Sequence, residues 1–190
     1  MKAVGTSIVV LMLAAGAAGL AYARWTRGVA NADAALGEGQ LDRARAGYAA
    51  AAGHFDRLPA TRQLFASEYA RVIGNELWIL YRLERFDDTI DLAEHSPEAA
   101  SPHFWSGCAF FEKARTEDNP EQRLGWFTRA EEEFHRAAEA APDDWDTKFD
   151  FELTTRLASA LRKQPKTAPK QLMQLLRPPP AGAKSPRRVG

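Results

Sequence analysis

Residues 126–152 read WFTRAEEEFHRAAEAAPDDWDTKFDFE, and this stretch decides the predicted fold. Ala130, Phe134 and Ala137 follow one another at intervals of four and three residues, so they share one face of a helix whose other faces are charged. An aromatic ring between two small residues lets a second helix approach closely, because the ring fills the space between the two alanines. The pattern therefore predicts a helix that packs tightly against a neighbour.

A helix stop and a new helix start follow directly. Pro142 ends the first helix, and Asp143 and Asp144 offer side-chain oxygens that can cap a helix beginning near Trp145. Their negative charge also suits the positive N-terminal end of a helix. The next helix, expected to run to about Lys163, would cover the exposed face of the preceding helices.

The same spacing recurs earlier in the chain. In residues 31–59, Ala44, Tyr48 and Ala51 repeat it after a glycine, Gly39, that suits a bend between two helices. Residues 64–97 hold a degenerate copy in which Thr89 and Ala93 replace the alanine and the aromatic residue. The polar run 114–125, which contains Asn119-Pro120, is predicted to be an extended turn before the last copy.

The Ala-x3-Phe-x2-Ala-x4-Pro pattern of residues 130–142 resembles the second helix of a tetratricopeptide (TPR) repeat. The resemblance implies an all-α protein, a TPR-like solenoid of helical hairpins. The alternative is an amphipathic helix in an ordinary bundle, to which the same spacing also belongs.

The N-terminus predicts a transmembrane helix. Residues 4–23 carry no charge and as a helix would be about 30 Å long, enough to cross the hydrocarbon core of a membrane. Trp25 and its flanking arginines suit an interfacial collar, which favours an uncleaved anchor over a signal peptide cut after Ala23. We therefore predict a single-pass protein of a bacterial inner membrane, with its soluble domain in the periplasm.

The sequence predicts a chain of three parts: a signal anchor over residues 1–27, a TPR-like helical domain over 28–163, and a disordered, basic, proline-rich tail over 164–190. The charges follow the same division. Every acidic residue lies between Asp33 and Glu152, where 13 basic residues face 25 acidic ones, a net charge of −12. Three basic residues precede this segment and nine follow it. Such a division is typical of a protein that interacts with others.

No catalytic or metal-binding motif is present in the sequence. The single cysteine, Cys108, lies in an apolar run and excludes an intrachain disulfide. The four histidines lack metal-ligand spacing, and the acidic run 143–152 lacks the glycine of a calcium loop. The sequence thus indicates a protein that is not an enzyme and needs no cofactor or metal. For an exported chain, lipid or protein is a better candidate for contact with the basic tail than nucleic acid, and the alternative is a tail that only keeps the protein soluble, which is the commonest case.

The anchor, the segment 142–153 and the run Asn75-Glu76-Leu77 also resemble a particular accessory class. This is the Bat/Mxa class of TPR proteins that accompany von Willebrand A-domain proteins and MoxR-type ATPases in bacteria. Within it, the chain is most similar to the MxaK-type proteins of methanol oxidation. The resemblance implies a role in assembling a periplasmic quinoprotein methanol dehydrogenase, or in inserting its calcium.

In a TPR array the first helix of each pair lines a concave face. The resemblance therefore implies five partner-binding residues: Arg71, Asn75, Trp78, His103 and Phe110. The alternative for Trp78 and Phe110 is burial in the core. The leading hypothesis is a membrane-anchored scaffold that binds another envelope protein; the second is a structural subunit of a membrane complex that makes its main contact through the anchor.

Overall fold

The computed structural model describes residues 2–57 and 60–163, without the side chains of residues 2–9, Asp56 and Ala60. Over these residues the regular structure is entirely helical, so the predicted all-α class is confirmed. The helices are α1 (Lys2–Gly37), α2 (Leu41–Arg57), α3 (Ala60–Leu64), α4 (Ala66–Arg82), α5 (Phe86–Glu94), α6 (Pro102–Thr116), α7 (Pro120–Ala140) and α8 (Trp145–Lys163), with a 3₁₀ turn at Glu98–Ala100. The predicted tail, residues 164–190, lies outside the described residues.

Contacts divide the chain into two compact units, the first ending at Ala109 and the second beginning at Phe110. In the first unit α1 packs against α2, and α2 against α4. The predicted packing residues Ala44, Tyr48 and Ala51 are all buried there. The helices α1 and α2 come so close that a Cβ added to Gly47 would lie 2.7 Å from the Cβ of Ala32.

Two helix ends in the first unit share one backbone geometry. After α1, Gly39 has a φ of +73°, and the amide of Gln40 donates to the carbonyl of Ala35 at 2.8 Å. After α4, Glu84 has a φ of +57°, and the amide of Arg85 donates to the carbonyl of Leu80 at 3.0 Å. Both are left-handed helix caps that lead into a following helix.

The N-terminal helix is packed against the body from Tyr22 onward. The indole N–H of Trp25 donates to the carbonyl of Ala51 at 3.2 Å, and its ring meets Phe55 edge-on at 5.3 Å. The ring of Tyr22 stacks on Phe65 at 5.6 Å. Trp25, assigned from sequence to a membrane interface, is therefore part of an aromatic cluster inside the first unit.

The predicted anchor, residues 4–23, is helical but includes residues whose side chains lie outside the description. None of the helices formed by the described residues is both long and apolar enough to cross a membrane. The membrane-spanning role of this segment is not confirmed.

In the second unit α7 packs against α8. Ala130, Phe134 and Ala137 are buried on the inner face of α7, as their spacing predicted. Arg162 of α8 reaches across to α7, where it pairs with Glu131 at 2.7 Å. The stretch that suggested the fold is thus the centre of this helix pair.

The link between α6 and α7 differs from the prediction. Only residues 117–119 lie outside helices, because Asn119 caps α7: its Oδ1 accepts from the amides of Glu121 and Gln122, and Pro120 starts the helix. The buried guanidinium of Arg123 donates back to the carbonyl of Glu117 at 2.7 Å. Asn-Pro here is a helix start rather than part of an extended turn.

The predicted start of α8 is confirmed at Asp144. Its Oδ1 accepts from the amide of Asp146 at 3.0 Å and its Oδ2 from the hydroxyl of Thr147 at 2.8 Å. The hydrogen bond from Thr147 is the main reason that the pKa of Asp144 lies below its ordinary value. The acidic run thus serves as a helix cap.

Candidate functional site

The first unit has a groove of about 450 Å³ on its surface. Its walls come from four parts of the chain: the end of α1, the outer face of α4, the 3₁₀ turn and the start of α6. Apolar side chains make most of the lining, and a few polar groups lie among them. The lining residues are Leu36, Ala70, Arg71, Gly74, Asn75, Trp78, Ala99, Ala100, Ser101 and Trp105.

A polar network anchors one side of the groove. The guanidinium of Arg71 pairs with Asp33 of α1 at 3.1 Å, and the hydroxyl of Tyr48 donates to the same carboxylate at 2.5 Å. The side-chain amide of Asn75 hydrogen-bonds to that hydroxyl. Arg71 and Asn75 are therefore held by α1 and α2 before anything binds in the groove, which lowers the entropy lost on binding.

The pKa of Tyr48 reflects its place in this network. Burial raises it most, and the hydrogen bond to Asp33 and the charge of that carboxylate raise it further, to about 12. The charge of Arg71 and the hydrogen bond from Asn75 act in the opposite direction. Tyr48 is thus a neutral hydrogen-bonding group at ordinary pH and does not act there as a base.

Three of the five residues predicted to bind a partner meet in this groove: Arg71, Asn75 and Trp78. They lie four and three residues apart on α4, so one helix face presents all three. Trp78 is half-buried, with the guanidinium of Arg82 at 5.9 Å from its ring. The structure leaves part of this indole open to the groove.

The other two predicted residues lie elsewhere. His103 does not line the groove, and its Nε2 is 3.3 Å from a carboxylate oxygen of Glu98. Phe110 belongs to the second unit, where it is buried, stacks on Trp126 at 5.9 Å and has Arg129 at 5.7 Å from its ring. The packing of Phe110 matches the alternative of a core residue.

Trp105 lines the groove although it was not among the predicted residues. It lies two positions after His103, and two positions on a helix correspond to a rotation of about 200°, so the two side chains leave α6 on nearly opposite sides. The sequence HFWSGCAFF is apolar on both sides, which hides the face that meets α4. The 3₁₀ turn, which supplies Ala99 and Ala100, and Ser101 after it were not predicted to line a site.

One more ionisable group lies inside the first unit. Glu76 of α4 is 7% exposed, and burial raises its pKa while the nearby charge of Arg45 opposes this effect. Among residues 2–57 and 60–163, no group of three or more histidine, cysteine or acidic side chains is placed to hold a metal ion. The groove lining offers apolar and hydrogen-bonding groups.

Comparisons with known proteins add no relative: no protein-family model, no curated protein and no solved structure matches the chain. The fold and the groove therefore describe the molecule at the level of an all-α protein with a preformed surface groove. The resemblance to TPR accessory proteins of the Bat/Mxa class stays a prediction from the quoted motifs.

Proposed function

We propose that this chain is a non-catalytic scaffold that binds an extended segment of another envelope protein in the groove of its first unit. The observation that carries the proposal is the meeting of Trp78 and Trp105 with the fixed polar groups of Arg71 and Asn75. Indole rings provide much apolar contact area for little lost side-chain entropy, and fixed donors give direction.

The chemistry of the lining indicates what would bind. Leu36, Trp78 and Trp105 form apolar walls that suit an aliphatic or aromatic side chain. Asn75 and Ser101 offer groups that can hydrogen-bond to a peptide backbone. Because Asp33 already pairs with Arg71, the groove does not select strongly for an anionic ligand. An extended peptide with an apolar anchor residue fits these features.

The TPR-like arrangement is part of this proposal. It is supported by the two hairpin ends at Gly39 and Glu84, which repeat one cap geometry, and by the buried small residues that follow each of them. Each such hairpin presents its first helix, α1 or α4, and residues of both helices line the groove. This agrees with the way in which TPR proteins expose their binding faces.

Membrane attachment through residues 4–23 and a periplasmic location complete the proposal, and the apolar sequence of that segment supports them. The narrower role, assembly or calcium insertion of a methanol dehydrogenase, rests on the resemblance to MxaK-type proteins. The partner would then belong to the maturation machinery, including a von Willebrand A-domain protein. Neither an enzymatic activity nor a cofactor is part of the proposal.

The direct test compares two variants, in which a tryptophan of the groove or a leucine outside it is replaced by alanine. Trp78→Ala removes an anchor in the groove, whereas Leu64→Ala removes an apolar side chain that is 77% exposed outside it. We expect Trp78→Ala to weaken partner capture from envelope extracts about 10- to 100-fold, the usual effect of a binding hot spot. Equal capture by both variants would exclude the groove as the binding site.

Two further measurements separate the alternatives. A structural subunit would make its main contact through the predicted transmembrane anchor. In that case, replacing residues 1–20 by an unrelated membrane helix should abolish binding of the partner. The narrower role is tested by gene deletion, with the amount of methanol dehydrogenase and its bound calcium as readouts. Normal metal content and activity would exclude a maturation role and leave the scaffold proposal open.

A further inference from the structure

The outer face of α8 carries a stripe of three large apolar residues. Trp145 is 77% exposed, Phe149 65% and Leu153 36%. They follow one another at intervals of four residues, which turns each by only about 40° from the last, so they form one continuous line along the helix. We call these three residues the α8 stripe.

The inner face of the same helix is already used. Thr154, Leu157 and Ala158 are buried on the side that packs against α7. A helix that covers the end of a helical array needs only one apolar face, and solvent favours polar residues on the other. Covering α7 does not account for the α8 stripe. Exposed apolar patches often mark interaction sites.

The charges around the stripe limit what can cover it. Residues 143–152 hold five acidic residues and one basic residue, a net charge of −4. Glu152 is paired with Arg156, whereas Asp146 and Asp150 lie along the other edge of the stripe. Burial raises the pKa of Asp150 most, and the charges of Asp146 and Asp144 raise it further. A second copy of α8 in the same direction would place another acidic segment 143–152 against this one, whereas a basic occupant complements it.

We propose that the α8 stripe is covered by residues 171–176 of the same chain, QLMQLL. This is the apolar segment of the sequence after α8; it lies between Lys170 and Arg177, and residues 164–190 contain six basic residues and no acidic one. Its leucines and methionine match an apolar stripe, and its basic flanks match the acidic edge.

The length of the connection allows this contact. Seven residues, 164–170, separate the end of α8 from the segment and can span up to about 23 Å. Leu153 lies ten residues before Lys163 and Phe149 fourteen, which along a helix is about 15 Å and 21 Å. The segment can thus turn back and lie over the stripe. Such a short tether also gives it a millimolar effective concentration, far above that of a separate partner.

The test is disulfide trapping in the full chain. Cys108→Ala first removes the native thiol; Phe149→Cys is then combined with Leu175→Cys. The control combines Ala140→Cys, an exposed position at the end of α7, with the same Leu175→Cys. Both pairs are oxidised under identical mild conditions at low protein concentration, and linked peptides are identified by mass spectrometry.

We expect the disulfide between positions 149 and 175 to form within one chain at least ten times faster than the disulfide of the control pair. Adding Leu172→Ser and Leu176→Ser should abolish this advantage. A tail that does not dock would close both pairs at rates within a few-fold of each other, because loop closure depends only weakly on length. That result, or disulfides formed mainly between two chains, would overturn the proposal.

Discussion

The contact between α1 and α2 predicts opposite effects for one substitution at two places on α2. In Gly47→Ala, the new Cβ would lie 2.7 Å from the Cβ and 3.4 Å from the Cα of Ala32. Ordinary contact between carbon atoms requires about 3.5–4.0 Å. Neither atom of Ala32 can rotate away, so the two helices must move apart.

The magnitude follows from two opposing contributions. Overpacking of this kind costs about 1–3 kcal/mol, whereas alanine stabilises a helix interior over glycine by about 0.5–1 kcal/mol. We therefore expect Gly47→Ala to lower the free energy of unfolding by about 0.5–2 kcal/mol. Gly53→Ala is the matched control, because no atom lies within 4 Å of its added Cβ. It should raise the free energy of unfolding by about 0.5–1 kcal/mol.

Urea unfolding of both variants, followed by circular dichroism and by tryptophan fluorescence, measures the difference. Trp25 lies against α2 and reports on this region. Hydrogen exchange at the amides of α1 and α2 would localise the change to the first unit. If both substitutions shift the unfolding midpoint in the same direction, the close approach of these helices is not as described.

Three other predictions follow from local features. Glu84 has a left-handed backbone, so Glu84→Gly should raise the unfolding free energy by about 0.5–1 kcal/mol in urea titrations, and a loss of stability would contradict the cap geometry. Asp144→Ala removes the cap of α8 and should lower the free energy of unfolding by about 0.5–2 kcal/mol. The loss should appear as faster hydrogen exchange in the first turn of that helix. Asp143→Ala, one residue earlier, should have a smaller effect. Because the pKa of Tyr48 is raised in the folded protein, its hydroxyl proton is lost from the unfolded chain at a lower pH than from the folded one. The contribution of Tyr48 to stability is therefore complete below about pH 10 and is lost as the pH rises towards about 12. In Tyr48→Phe this part of the alkaline loss should be missing, and an unchanged pH profile between variant and parent would refute the assignment.

The sequence alone predicted the packing residues of the helices well. Ala44, Tyr48 and Ala51 are buried because helical spacing by four and three depends only on the geometry of one helix. The left-handed residue after α1 was likewise predictable, since glycine accepts that backbone. Its counterpart Glu84 carries no such signal, because a glutamate with a left-handed backbone is uncommon.

The candidate site was predictable only in part, for a physical reason. Arg71, Asn75 and Trp78 share a helix face, which sequence spacing shows directly. Which face of α6 meets the groove depends on how α6 packs, and His103 and Trp105 are equally compatible with the pattern. The same holds for Trp25: an indole beside arginines suits a membrane interface, and only the neighbouring Phe55 identifies it as a packing residue.

The 36-residue helix α1 passes from the apolar N-terminal segment into the first unit without a break. Between Ala23 and Gly37 this is a rigid rod of about 21 Å, and the contacts of Tyr22 and Trp25 clamp its upper part to α2 and to Phe65. Because these contacts fix α1 against α2, the orientation of the N-terminal half of α1 is coupled to the orientation of the helices that line the groove. If the N-terminal half is held in a bilayer, the groove has a fixed distance from the membrane surface and a fixed orientation relative to it. A partner must then approach the groove from one side.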